Sequence, residues 1–288
     1  MNGKKILGIA ASALIVMFTG CTTSDGFAFL GSVASAVGDD STAAAFNSIS
    51  KATEEITPEN EYYIGRSVAA NLLTNYKTYS SPRLEAYLNK ICQVLVMNSD
   101  NPDSYNGYHV KILDSSEVNA FSTSGGHILI TTGLIECAKS EDGLAAVVAH
   151  EIGHIHLKHS LKSIKTSRFT SALKATASAV MATELDGMVG DVMGSMFKSG
   201  YSQTQEYDAD EMGLKLMAAA GYNPNAMLDI LAQMQILESL PSSKGGMFKT
   251  HPSAKKRIAN VRLALKSIEM PEDTTSYRTA RYSLSSKG

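Results

Sequence analysis

Near the middle of the chain, His150-Glu151-Ile152-Gly153-His154 combines two imidazole ligands with a carboxylic base. On a helix of 3.6 residues per turn, positions four apart differ by roughly 40° in direction, so both imidazoles leave one face a turn apart. That spacing lets two ring nitrogens meet one Zn²⁺ at about 2.0–2.1 Å. Glu151, offset by roughly 100°, reaches a water at the metal from the side. Catalytic zinc takes a third protein ligand and keeps a position for water. Glu206, in Gln205-Glu206-Tyr207-Asp208-Ala209-Asp210-Glu211, is the candidate, at the start of a helical stretch running through Leu214 and Met217. Asp210 follows four residues later on the same face, placed to accept the N–H of a ligating imidazole and fix its tautomer. The alternative for both acids is a solvated helix face; the two histidines reverse those odds. The expected chemistry is hydrolysis with one Zn²⁺ per chain and Glu151 as general base.

These side chains need rigid elements. Leu144, Val147, Val148, Ile152 and Ile155 give the metal helix its apolar positions, Ser140 offers an N-cap, and the pattern fades near His159. Pro58 and Pro82 each open an earlier helix, with stripes at Ile64, Val68 and Leu72 and at Leu84, Leu88, Ile91 and Leu95. Residues 108–113, 119–123 and 128–131 read as short strands. The expected class is α+β, a mainly helical domain with a small sheet.

The order His-Glu-Ile-Gly-His, then Glu206-Tyr207-Asp208-Ala209-Asp210 some fifty residues later, resembles the gluzincin metallopeptidases of the HtpX and CAAX-prenyl-protease family. Asn119-Ala120-Phe121, Gly125-Gly126-His127-Ile128 and Thr132-Gly133-Leu134 are similar to that family's edge strand and the turn before its zinc helix. Thr250-His251-Pro252-Ser253, followed by Arg257-Ile258, resembles its C-terminal motif. The likeness covers roughly residues 58–268 and is nearest the outer-membrane lipoprotein proteases of the LoiP kind. It implies an edge strand bordering the zinc cleft, with Asn119, Ala120 and Phe121 holding substrate by strand addition. It implies for His251 either oxyanion stabilisation or a brace for the Glu206 helix. One departure is Gln203, where many members carry arginine.

Lys4 and Lys5 precede an apolar run from Ile6 to Phe18, too short at roughly 20 Å for a bilayer core. The run reads as a signal peptide over residues 1–20, and Thr19-Gly20-Cys21 resembles a lipobox that would lipidate Cys21. Thr22 after the cysteine favours the outer membrane by resemblance to enterobacterial lipoproteins. Residues 21–55 are expected as a lipidated tether, 56–270 as the peptidase domain and 271–288 as a polar tail. Net charge is −2, which gives no reason to expect nucleic acid as a partner. Cys92 and Cys137 then remain as an even pair, either a disulfide or two buried thiols. Residues 166–201 are either packed core helices or a lid over the metal. His156 and His159 are expected in solvated or packing roles, and His127 next to the active site.

The function that follows is a zinc endopeptidase for unfolded or misassembled envelope proteins, lipid-anchored in the bacterial envelope. The alternative is a chaperone or assembly factor for outer-membrane proteins with little or latched proteolysis. A zinc-storing lipoprotein is disfavoured, because storage has no use for Glu151.

Overall fold

The computed structural model describes residues 24–36, 55–100, 104–162, 200–239 and 254–285, together with Thr250, His251 and a few isolated positions. The signal peptide and Cys21 lie outside the described residues, as does most of 166–201. The chain divides into two compact units, residues 1–57 with 162–191 and residues 58–161 with 192–288. In the first, Ser24–Ala36 forms helix α1, with Leu30 and Ala34 buried. A flexible tether was expected there; the described segment is instead helical, and Ala28, Leu30, Ala34 and Ala36 are good helix formers within it. Among the described residues, no helix is long and apolar enough to cross a membrane.

The second unit carries the expected α+β architecture. Helices α2 (Pro58–Asn75) and α3 (Pro82–Met97) bury the stripes read from sequence, Ile64, Val68 and Leu72 on one and Leu84, Leu88, Ile91 and Leu95 on the other. Three strands follow, β1 (His109–Leu113), β2 (Ala120–Thr123) and β3 (His127–Thr131). Their order is β1-β3-β2, with β1 parallel and β2 antiparallel to β3. Helix α4 (Thr132–Ala138) leaves β3 directly, capped by Thr131, whose hydroxyl accepts from the Leu134 amide. The metal helix α5 (Glu141–His156) starts at Ser140, whose hydroxyl accepts from the Gly143 amide. Every residue from Glu141 to His154 is buried, because α3, β2 and helix α6 (Gln203–Ala219) surround it. Helices α7 (Ala226–Glu238) and α8 (Ala254–Ala264) complete the body.

The last element differs from expectation. Thr275–Ser285, read as polar tail, forms helix α9 against the start of α5. Arg278 is buried and pairs with Asp142 at 2.8 Å, while Arg281 pairs with Glu141 at 2.5 Å. Glu141 also accepts from the Tyr87 hydroxyl at 2.8 Å. Acidic first-turn residues suit a helix N-terminus, and here they double as the grip for α9.

Cys92 and Cys137 are free thiols, Cys92 buried on α3 and Cys137 half-buried on α4. Burial pushes the Cys92 thiol up to about 12 and raises Cys137 as well. Only the thiolate reacts. In a chain beginning at Thr22, a thiol reagent at pH 8 should therefore leave native Cys92 untouched and label Cys137 slowly. Both should label once the chain is unfolded without reductant; unlabelled cysteines there would establish a bridge.

Candidate metal centre

The close crossing of α5 and α6 assembles the centre. A Cβ on Gly153 would stand 2.7 Å from the Ala209 carbonyl oxygen, and one on Gly213 would stand 3.3 Å from the His150 nitrogen. Any larger residue at Gly153 would push the helices apart and separate the ligands. With both glycines in place, His150 and His154 on α5 face Glu206 on the first turn of α6. Ser202 and Gln205 fix that turn through a reciprocal capping box.

His251 joins these three. Ligand atoms of His150, His154, Glu206 and His251 all lie within 4.8 Å of one another, and all four residues are buried. The Nε2 atoms of His150 and His154 are 3.1 Å apart, and His150 Nε2 is 3.4 Å from His251 Nδ1. Glu206 Oε1 is 2.8 Å from His251 Nδ1 and 3.4 Å from His154 Nε2. Four ligands at about 2.0–2.1 Å from a tetrahedral ion have edges of roughly 3.3–3.4 Å. The set fits zinc in size and in its imidazole and carboxylate chemistry. Converging nitrogen lone pairs at these separations repel unless a cation lies between them.

The surroundings set charge and tautomer. His150 Nδ1 donates to Asp210 Oδ1 at 3.0 Å, which leaves Nε2 as the acceptor atom facing the centre. Arg257, on α8, holds Asp210 in a fork, with Nη2 2.6 Å from Oδ1 and Nε 2.9 Å from Oδ2. Its Nη1 reaches Glu206 Oε2 at 3.0 Å. Burial opposes charge on both acids. Arg257 nonetheless keeps Asp210 below its usual range, and His251 with Arg257 keeps Glu206 well below the carboxylate range. Burial pushes His154 down to about 4, so it stays the neutral imidazole that a metal requires.

Glu151 is fully buried, and neither of its oxygens meets a hydrogen-bonding partner among the described residues. The nearest basic group, His251 Nε2, is 3.8 Å away, beyond hydrogen-bond length. The expected substrate strand is present as β2, at a sheet edge. Asn119, just before it, accepts at Oδ1 from the Thr250 hydroxyl at 3.3 Å. Asn119, Ala120 and Phe121 are all buried, so taking up a peptide requires movement of what covers them. His127 packs on Tyr62 and His109 and is not one of the four clustered residues.

The roles of three residues at the centre were not read from the sequence, although Arg257 was noted in the C-terminal motif. Arg257 carried a signal, being the one charge on the buried α8 stripe of Ala254, Arg257 and Val261. Tyr201, just before the α6 cap, stacks on the His154 ring at 3.9 Å and 18°. His159, expected in a packing or solvated role, is buried with Nδ1 2.8 Å from His154 Nδ1. With His154 Nε2 facing the centre, Nδ1 carries the proton and donates it to His159. Partners of this kind support metal affinity by 10–100-fold. His159→Ala should therefore weaken zinc binding by about that factor in a chelator competition, while Lys162→Ala, on the same short turn, should not.

The model of Peptidase family M48 matches residues 82–264. The chain belongs to peptidase family M48. It is accordingly a metallopeptidase, and the four-residue cluster is its candidate metal site. Among M48 relatives, the mitochondrial metalloendopeptidase OMA1 of Schizosaccharomyces pombe is 30% identical over 58% of this chain and 50% of its own. The beta-barrel assembly-enhancing protease of Escherichia coli K12 is 24% identical over 70% of this chain and 42% of its own. The metalloprotease LoiP of the same strain is 26% identical over 53% of this chain and 60% of its own. The chain thus spans about half the length of these M48 proteins.

Proposed function

We propose that this chain is a zinc-dependent endopeptidase that cleaves unfolded or misassembled proteins of the bacterial envelope. The observation that carries the reading is Glu151, a buried carboxylate without a hydrogen-bond partner among the described residues, beside a convergent ligand set. Such a group is costly to bury and is kept where chemistry uses it. Zinc held by His150, His154 and Glu206 would supply Lewis acidity, polarising the scissile carbonyl and making water more acidic. Glu151 takes a proton from the attacking water and passes it to the leaving amine. Asp210 and His159 keep the two imidazoles turned toward the centre. The strand of Asn119, Ala120 and Phe121 would pair with extended peptide through main-chain groups, a recognition mode indifferent to sequence and suited to unfolded clients.

The envelope location rests on the signal-peptide and lipobox readings at 1–21. Kinship with LoiP and with an assembly-enhancing protease supports it. A lipid at Cys21 would hold the domain at the periplasmic face of the outer membrane. The second reading, an assembly factor with latched proteolysis, is favoured by His251. That side chain braces Glu206 and fills the fourth corner of the cluster, where a water would have to enter. The deciding experiment is incubation of the zinc-loaded chain with a permanently unfolded polypeptide, beside Glu151→Gln. Cleavage by the unsubstituted chain alone supports the peptidase; cleavage by neither, with zinc in both, supports the latched assembly factor.

A further inference from the structure

Helix α5 closes with the Leu157 amide donating to the Gly153 carbonyl, and Lys158 then adopts a left-handed φ of 54°. That position after a helix is ordinarily glycine, because a side chain there strains the backbone. Strain of this kind persists where the surrounding structure holds it in place. Lys158 Nζ lies 2.5 Å from Oε1 of Glu61 on α2. The Glu61 carbonyl in turn accepts from Ser124 Oγ at 2.9 Å, in the turn that follows β2. One residue past the bend, His159 Nδ1 is 2.8 Å from Nδ1 of His154. The bend thus stands between a pin on α2 and a support of the centre. Lys139, after α4, has the same left-handed backbone at φ 56°, but its ammonium donates only to exposed Gln233 at 3.3 Å. The residue that follows it, Ser140, caps α5 and supports no ligand.

We propose that Lys158 is a positioning residue for the metal centre: its left-handed bend, pinned by Glu61, sets His159 against His154. The inference rests on the zinc reading of the centre and not on what the centre cleaves. On a continued helix, residue 159 would stand roughly 140° around the axis from His154. The reversal at Lys158 is what brings the two rings together. Exposed ion pairs add little stability. The part of Glu61 is therefore to hold one backbone state at residue 158, from a turn of α2 that Ser124 ties to the sheet.

The test is competition for zinc between the full chain and a chromophoric chelator, beside thermal unfolding of the metal-free protein. Lys158→Val puts a β-branched residue where φ is positive, a conformation it resists. Zinc affinity should fall by about 10–100-fold, the loss expected of His159→Ala. In the His159→Ala background, the same change should cause no further loss. Lys158→Gly accepts the bend, and its zinc affinity should stay within a few-fold of the unsubstituted chain. Lys139→Val is the matched control, expected to lower the metal-free midpoint and leave zinc affinity unchanged. Glu61→Ala should weaken zinc binding a few-fold beside Lys158 and not at all beside Lys158→Gly. Full affinity in folded Lys158→Val, equal losses in Lys139→Val, or losses additive with His159→Ala would overturn the proposal. If Lys158→Val does not fold, the Glu61→Ala pair decides, and unchanged affinity beside Lys158 overturns it. In each of these cases the unsubstituted chain still binds zinc and Glu151→Gln still abolishes cleavage, leaving the peptidase reading intact. An unsubstituted chain that binds no zinc would overturn both.

Discussion

Glu151→Gln is expected to lower the rate of peptide cleavage by at least 10²–10⁴-fold, the usual contribution of a positioned general base. Zinc stoichiometry and affinity should stay within a few-fold of the unsubstituted chain. The reasoning is local. Glu151 does not belong to the four clustered ligands, and its carboxylate meets no hydrogen-bond donor among the described residues. The amide has nearly the same volume, so the packing of α5 between β2 and α6 is preserved. A neutral side chain is also cheaper to bury than an unpaired charge, so the thermal midpoint should hold or rise. Parallel measurement of kcat/KM and bound zinc separates the roles. Loss of zinc in this variant would make Glu151 a ligand and remove the general-base assignment.

Arg257→Met should be the most damaging single change outside the ligands. Asp210 and Glu206 are fully buried, and Arg257 is their shared counterion. Removing one partner of a buried pair costs about 3–5 kcal/mol, because a charge is left without compensation. At roughly 2–4 °C per kcal/mol for a domain of this size, the midpoint should fall by about 6–20 °C. The sign with pH follows from the carboxylates. In the unsubstituted chain, Asp210 is held below its ordinary value, so its contribution is present above the unfolded pKa of about 3.9 and lost as pH falls below it. Without Arg257, burial raises the acid instead, and protonation relieves the penalty. The variant should therefore lose more stability at pH 8 than at pH 5. A loss under about 1 kcal/mol at both pH values would mean that the acids are solvated.

What the sequence made legible was periodic. The four-residue spacings of His150 with His154 and of Glu206 with Asp210 survive directly as neighbours on α5 and α6, because a helix converts spacing into direction. The α2 and α3 stripes held for the same reason. Legibility stopped where the chain leaves a helix. Lys158 adopts φ 54°, which turns the backbone back after α5. Any helical projection from His154 therefore misplaces His159. Tyr201 lies before a cap, where no period applies. Helix α9 was hidden by its polarity, since its anchors are arginines whose partners lie 136 and 140 residues earlier. Composition likewise concealed α1.

The distribution of the centre along the chain has a consequence for biogenesis. A polypeptide emerges from the ribosome N-terminus first, and folding of early segments precedes completion of late ones. His150 and His154 appear together, but Arg257 follows His150 by 107 residues and the Arg281 grip on Glu141 comes later still. A nascent molecule thus carries the histidine helix without its counterion and without its clamp. On the peptidase reading, competence would therefore wait until the chain through Arg281 has been made and folded onto the histidine helix.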